Sequence, residues 1–346
     1  MGNEVVATTL AIVMGAVIAL VLFVPFVAIS YRRRGRITAG RTLVWVAALV
    51  YFCAIWTYTL IPLPDPDDLV CVGKNTDLWQ AVRDVQGAAG LTDPAILQLV
   101  FNVALFVPLG FFIRVLGGRG LPTAFFAGLG TSVFIELTQL TGLWGIYDCA
   151  YRVFDVDDML TNTAGAVVGS IVALVVPRQH RGLESSPDAL EPRPVTKVRR
   201  IVAAVCDLLA ATVCLFLIYL AGAAWMIVVQ RHAAVDADLD RARVVGIVIT
   251  FVIWAVVVAA TGRTVGELVV ALEYRGGRLP EWATRILRLL AGVGGYLLLN
   301  LIGDGAVAGV FTVVAAIAIL VTEHGRGLPG LVTGRRVVDS REDASA

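Results

Sequence analysis

Four stretches of this chain, Val5 to Ser30, Val44 to Leu63, Ile201 to Gln230 and Val244 to Thr261, are nearly free of charge. Each is long enough to cross roughly 30 Å of hydrocarbon at about 1.5 Å per residue. That one feature restricts the fold to an all-α, polytopic helical bundle, because a spanning segment must satisfy its own backbone hydrogen bonds. The short, even alternation of an outer-membrane barrel is absent from the sequence. Composition agrees: 58% of residues are hydrophobic, 16% are charged and the mean hydropathy is +0.81, which does not describe a water-facing surface.

The hydrophobic pattern predicts about nine transmembrane helices, at 5–30, 42–63, 98–116, 121–141, 159–177, 201–230, 244–261, 287–303 and 305–322. The first has Glu4 before it and Arg32, Arg33, Arg34 and Arg36 after it, the reverse of a cleaved signal peptide, so it is expected to stay with its N-terminus outside. An odd number of crossings then places the C-terminus in the cytoplasm. Basic residues cluster in the segments this places inside (32–41, 114–119, 178–200, 263–288), while aspartates dominate the outer loops 64–97 and 142–158. Orientation alone accounts for the basic residues, so no nucleic-acid partner is expected. The expected location is a bacterial plasma membrane.

Cys53, Cys206 and Cys214 fall inside spans, where a small polarisable hydrophobe is sufficient explanation. Cys71 and Cys149 both lie in outer loops, on the oxidising side of such a membrane, and a disulfide between them is predicted. In the first outer loop Leu78, Trp79, Val82 and Val85 recur at helical spacing, as in a helix lying on the interface or packed on its own protein.

The segment 178–199, rich in Pro, Ser and both charge signs, reads as a flexible cytoplasmic linker. It separates an N-terminal helix with its basic segment (1–41) and a membrane module (42–177) from a second membrane module (200–338). The polar stretch 262–288 is expected to pack at the inner surface, and 339–346 reads as a disordered tail.

Polar groups inside spans are costly facing lipid and are therefore expected to turn inward. Glu136 sits about five residues from one end of its span, roughly 8 Å deep by helix rise, with Ser132 and Gln139 on the same face. Asn102 and Asn162 lie at similar depth in neighbouring spans, and Gly165 and Gly169 form a small-xxx-small pattern on the face that carries Asn162. Arg152, Asp155, Asp157 and Asp158 stand just above. The arrangement predicts an outward-opening cavity in which Glu136, with Asp155 and Asp158, handles protons, and Asn102, Gln139, Arg152 and Asn162 bind a substrate bearing an anionic group. Two alternatives remain: a divalent cation held by the acids, and a purely structural salt-bridged cap with Glu136 satisfied by Asn102 or Asn162.

The segments NVALFVPLGFF (102–112), ELTQL (136–140) and RVFDVDDMLTNTAGAVVG (152–169) resemble the signature of the VanZ-like family over roughly residues 40–177. Asn102, Phe106, Pro108, Gly110, Glu136, Gln139, Arg152, Asp155, Asp158, Asn162 and Gly165 match its motif positions, and Tyr58 to Pro62 resembles its earlier Thr-Leu-x-Pro element. The resemblance implies cell-envelope biology and glycopeptide (teicoplanin) tolerance, without naming a reaction. Pro108, Gly110, Gly165 and Gly169 are expected to serve packing.

In the second module RIVAAVCD (200–207), GRTVG (262–266) and RGLPGLVTGRRVV (326–338) resemble the RDD family, with Arg200 and Asp207 as its polar pair. The second signature aspartate is missing, since Pro329 and Gly330 stand where the family has His-Asp. This departure weakens the ion-coupled transport suggested for some relatives. The three histidines lack metal-ligand spacing, and no Walker A sequence, dinucleotide fingerprint or GxSxG elbow occurs, so no metal and no cofactor are expected.

The leading expectation is a membrane protein that recognises or modifies an anionic, lipid-linked cell-wall precursor or anionic lipid at the outer leaflet. Proton- or sodium-coupled transport through Glu136 or Asp207 and a non-catalytic membrane scaffold are the alternatives.

Overall fold

The structure is a computed structural model that describes residues 2–342 apart from 62, 65–68, 91, 183–185, 229–235 and 303–304, with helix side chains at 2–16, 227–228 and 236–238 also outside the description. Pro62 of the Thr-Leu-x-Pro element, the Glu4 side chain, His232 and residues 343–346 therefore lie outside the described residues. The chain divides into two compact units. Unit 1 comprises Met1–Ala19 and Thr38–Glu184; unit 2 comprises Leu20–Ile37 and Ser185–Ala346.

In chain order the elements are α1 (Gly2–Arg34), α2 (Ala39–Leu60), β1 (Lys74–Asn75), α3 (Gln80–Gly87), α4 (Pro94–Gly117), α5 (Leu121–Leu140), α6 (Gly142–Gly145), β2 (Phe154–Asp155) and α7 (Val156–Val172). They continue with α8 (Lys197–Val228), α9 (Asp236–Thr261), α10 (Val265–Val269), β3 (Leu272–Arg275), α11 (Glu281–Leu290), α12 (Val293–Ile302), α13 (Gly305–Val321), α14 (Gly327–Thr333) and β4 (Arg336–Asp339). The protein is a multi-pass, all-α membrane protein. A helix lies within each of the nine expected crossings; among the described residues six are long and apolar enough to span, or seven when α11 and α12 count as one. The span expected at 287–303 is not one straight helix: α11 and α12 meet at a 54° bend. Gly292, Gly294 and Gly295 fall at that break, where a helix has the least intrinsic support.

Unit 1 is organised by α4 and α7, whose backbones touch. A Cβ on Gly165 would stand 2.2 Å from the Val103 carbonyl oxygen, one on Gly169 1.8 Å from that of Val107, and one on Gly110 1.7 Å from that of Ala166. Only glycine permits carbonyls to approach so closely, and the two helices supply it to each other. Phe106, Ile135, Ala166 and Ile55 fill the space beside this seam. Pro108 lies inside α4 and withholds one backbone donor. The Cys71–Cys149 disulfide is present, with Cα atoms 5.6 Å apart. Beside it β1 pairs with β2 in parallel, Lys74 opposite Phe154 and Asn75 opposite Asp155.

In unit 2 the core is Ala211, Ile247, Trp254, Val258, Leu289, Val293 and Leu297. Two expectations are corrected here. The stretch read as a flexible linker is anchored at its C-terminal end: the Arg193 N–H donates to Asp339 at 3.0 Å, Arg341 donates to the Ala189 carbonyl at 2.8 Å, and α8 begins at Lys197. The start of the tail is likewise ordered, since Asp339 ends β4, fully buried, and accepts from Arg199 and Arg341. The polar stretch 262–288 also contains strand β3, which pairs antiparallel with β4 from Leu272–Asp339 to Arg275–Arg336. In both corrected cases a charged segment that cannot build a core alone is held by hydrogen bonds to residues distant in sequence.

Candidate functional site

Helix α7 starts where its sequence says it should. Asp155 is its N-cap, accepting from the Asp157 N–H at 2.8 Å, and Asp157 and Asp158 occupy the first turn, where the helix dipole favours negative charge. The Asp155 N–H in turn donates to Glu136 Oε2 at 2.9 Å, so the carboxylate of α5 is bound to the cap of α7. Glu136 is only 3% exposed and faces protein rather than lipid.

The other carboxylates of the cluster are also engaged by neutral donors. Asp155 Oδ2 accepts from Asn75 Nδ2 at 3.1 Å, across the short parallel sheet. Asp157 Oδ2 accepts from the Ala81 N–H at 2.9 Å, which ties α3 to the site, and Asp158 Oδ1 accepts from Asn102 Nδ2 at 2.5 Å. Asn162 donates to Ser132 Oγ at 2.9 Å, and its own Oδ1 is buried without a donor among the described residues. Arg152 is half-buried and within electrostatic reach of Glu136, yet among the described residues it makes neither hydrogen bond nor ion pair.

The structure therefore brings Glu136, Asp155, Asp158, Asn102, Asn162 and Arg152 to one end of α4, α5 and α7. It does not bring Gln139 into the cluster. Its Nε2 donates at 2.7 Å to the carbonyl of Thr59, in the last turn of α2, where helix carbonyls lack an internal partner. The salt-bridged cap considered from sequence is not formed, because no acid pairs with Arg152, and Glu136 is satisfied by a backbone N–H rather than by Asn102 or Asn162. No group of three or more His, Cys, Asp or Glu among the described residues could hold a metal ion by itself. Sequence reasoning missed Asn75 and Ala81; their part in the site comes from pairings of the first loop that leave no local pattern. On α3 the apolar Val82 and Val85, with Leu78 and Trp79 just before it, are exposed.

In unit 2 the expected Arg200–Asp207 pair is replaced by a network centred on a residue the sequence did not single out. Asp207 accepts from Thr264 Oγ1 at 2.5 Å, the Gly266 N–H at 2.9 Å and Trp254 Nε1 at 3.1 Å. Arg200 instead approaches Glu267 at 3.5 Å and donates to the Tyr274 hydroxyl at 2.7 Å, while Arg288 donates to Glu267 at 2.5 Å. Seven residues on a helix do place Arg200 and Asp207 on one face, but Thr264 of the capping box that starts α10 reaches Asp207 while Glu267 of that box takes the arginine. Burial disfavours the charge on Glu267, but the guanidiniums of Arg288 and Arg200 outweigh it and hold the carboxyl below its usual range. Burial pushes the Tyr274 hydroxyl, which lies beneath both arginines, up to about 12. For Asp339 burial again opposes ionisation, and hydrogen bonds from Arg341 and Arg199 overcome it, holding the acid well below the ordinary carboxylate range.

Residues 14–177 match the model of the VanZ/LLP1 family. The match covers the helices and loops that build the cluster around Glu136 and stops before unit 2's main body, for which the comparisons give no evidence of the RDD-like module expected from sequence. No curated protein and no solved structure matches the chain.

Proposed function

We propose that unit 1 recognises or modifies an anionic, lipid-linked component of the bacterial envelope from the outer leaflet, with a role in glycopeptide tolerance. The observation that carries this reading is Arg152. Glu136 lies within its electrostatic reach, and this acid and its neighbours Asp155, Asp157 and Asp158 are each already engaged by a backbone or amide donor, so the guanidinium is left for a group from outside the chain. Arginine is the side chain best shaped for a phosphate or carboxylate. Glu136 and Asp158 are the carboxyls placed to exchange a proton with such a ligand. The orientation rests on the distribution of basic residues, which puts this end of the bundle outside. Unit 2, with its RDD-like segments, anchors or regulates this module.

Cells carrying Arg152→Ala or Glu136→Gln at normal expression should lose the glycopeptide-tolerance or envelope phenotype and accumulate an altered set of lipid-linked cell-wall intermediates, read by lipidomics. Wild-type behaviour of both variants would remove the site and leave a membrane scaffold. Ion-coupled transport is the less favoured reading, because Asp207 is held by three donors at once. Flux into proteoliposomes that vanishes with Asp207→Asn would reinstate it.

A further inference from the structure

Unit 2 contains a cavity of about 190 Å³ bounded by α8, α10, α13 and the bend between α11 and α12. Its wall is hydrocarbon, from Leu208 and Val205 of α8 and Phe311, Ala315 and Ile319 of α13. Val205 and Ala204 are also exposed on the lipid-facing side of α8, so the wall is continuous with the bilayer. At the other end Arg200, Arg288, Asp207 and Glu267 reach the same cavity.

The hydrogen-bond inventory at that polar end is lopsided. Asp207 takes three donors, and Glu267 takes Arg288, Arg200 and the Thr264 N–H. The acceptors are therefore in use. Donors are in surplus: among the described residues Arg288 Nη1 and Nη2 donate one bond each, to the Gly262 carbonyl and to Glu267, and each nitrogen carries a second hydrogen. Water is a poor answer, since a buried water needs two to four polar partners and most of this cavity is apolar. Two guanidiniums against two carboxylates leave no net charge to repel either a carbonyl or a single carboxylate.

We infer that this cavity binds a hydrocarbon chain carrying an acceptor oxygen, with the chain along α13 and the oxygen toward the guanidinium end lined by Arg200 and Arg288. The size sets the scale: an apolar cavity of ~150 Å³ takes a benzene-sized guest, so a segment of one chain fits and a whole headgroup does not. The acyl chain and carbonyl of a bilayer lipid and those of a free fatty acid share this chemistry. The site is independent of the cluster around Glu136.

The test uses the full chain in nanodiscs, with a diazirine-tagged fatty acid in one arm and a phospholipid tagged on its acyl chain in the other, and adducts mapped by peptide mass spectrometry. Adducts on Phe311, Thr312 or Ala315 are expected in at least one arm, and the arm that labels identifies the source. Ala315→Phe, which fills the cavity, should lower that yield roughly tenfold, equal to about 1.4 kcal/mol, and leave adducts on the outward Val310 and Val313 unchanged. Ala204→Phe narrows the cavity from the opposite wall and serves if the first variant does not fold. Labelling confined to Val310 and Val313 in both arms, or cavity labelling unmoved by the filling variant, overturns the inference.

Discussion

In unit 1 the carboxylates of Glu136, Asp155, Asp157 and Asp158 are held by backbone N–H groups and amides while the nearby Arg152 pairs with none of them; in unit 2 Glu267 and Asp339 are each held by two arginines. Both arrangements satisfy the acids, but their consequences differ. A carboxylate matched by guanidiniums is locked into the fold, and removing it leaves two buried cations exposed to the full cost of desolvation. A carboxylate matched by neutral donors keeps its charge available to a visitor, and a cation left over is a place for that visitor to bind. The contrast separates the two sets more sharply than burial does, because Glu136 and Asp157 are as buried as Glu267.

The largest effect that would test this contrast is in unit 2. Glu267→Ala should lower stability by about 3–5 kcal/mol, read as thermal unfolding in detergent; a loss under one kcal/mol would mean the arginines relax to other partners. Asp339→Asn is expected to act in the same direction and also to change the pH dependence. Because the folded state holds Asp339 below its unfolded value, the stability it supplies is full above the unfolded range and is lost as pH falls through the folded one. The variant should therefore show a flatter acid limb than wild type.

Next in size is the disulfide. Cys71→Ser opens a closed loop of 78 residues' separation and should cost about 2–4 kcal/mol, measured against wild type without reductant. Gly169→Ala follows, since a methyl 1.8 Å from the Val107 carbonyl oxygen forces α4 and α7 apart, at a cost of about 1–3 kcal/mol. An unchanged melting temperature would refute the tight seam. The smallest effect is the most informative: Arg152→Ala should alter stability by only about 0.5 kcal/mol while abolishing the phenotype, and a large destabilisation would show Arg152 to be part of the frame after all.

What could be read from the chain in advance follows the same division. Spans, the α4–α7 glycines, the cysteine pair and the convergence of Glu136, Asn102, Asn162 and Arg152 all leave periodic or compartmental traces, because hydrophobic phase and membrane side constrain residues one at a time. Gln139 shared the right face but was taken by the open end of α2, a demand made by a helix nearly eighty residues away. The networks of Glu267 and Asp339 were invisible for a related reason. Arg199 and Asp339 are 140 residues apart, and nothing in the neighbourhood of either announces the other. Long sequence separation also hid the β3–β4 pairing and made an anchored segment resemble a linker.

The two-residue parallel sheet next to Cys71 and Cys149 has a further implication. Asn75 reaches Asp155, and the N–H of Asp155 reaches Glu136, only while that sheet holds, so the innermost carboxylate inherits its setting from a covalent bond at the rim. On the orientation proposed above, a newly made chain still carrying free thiols lacks that tie, and the setting of Glu136 is completed by oxidation after insertion rather than by synthesis.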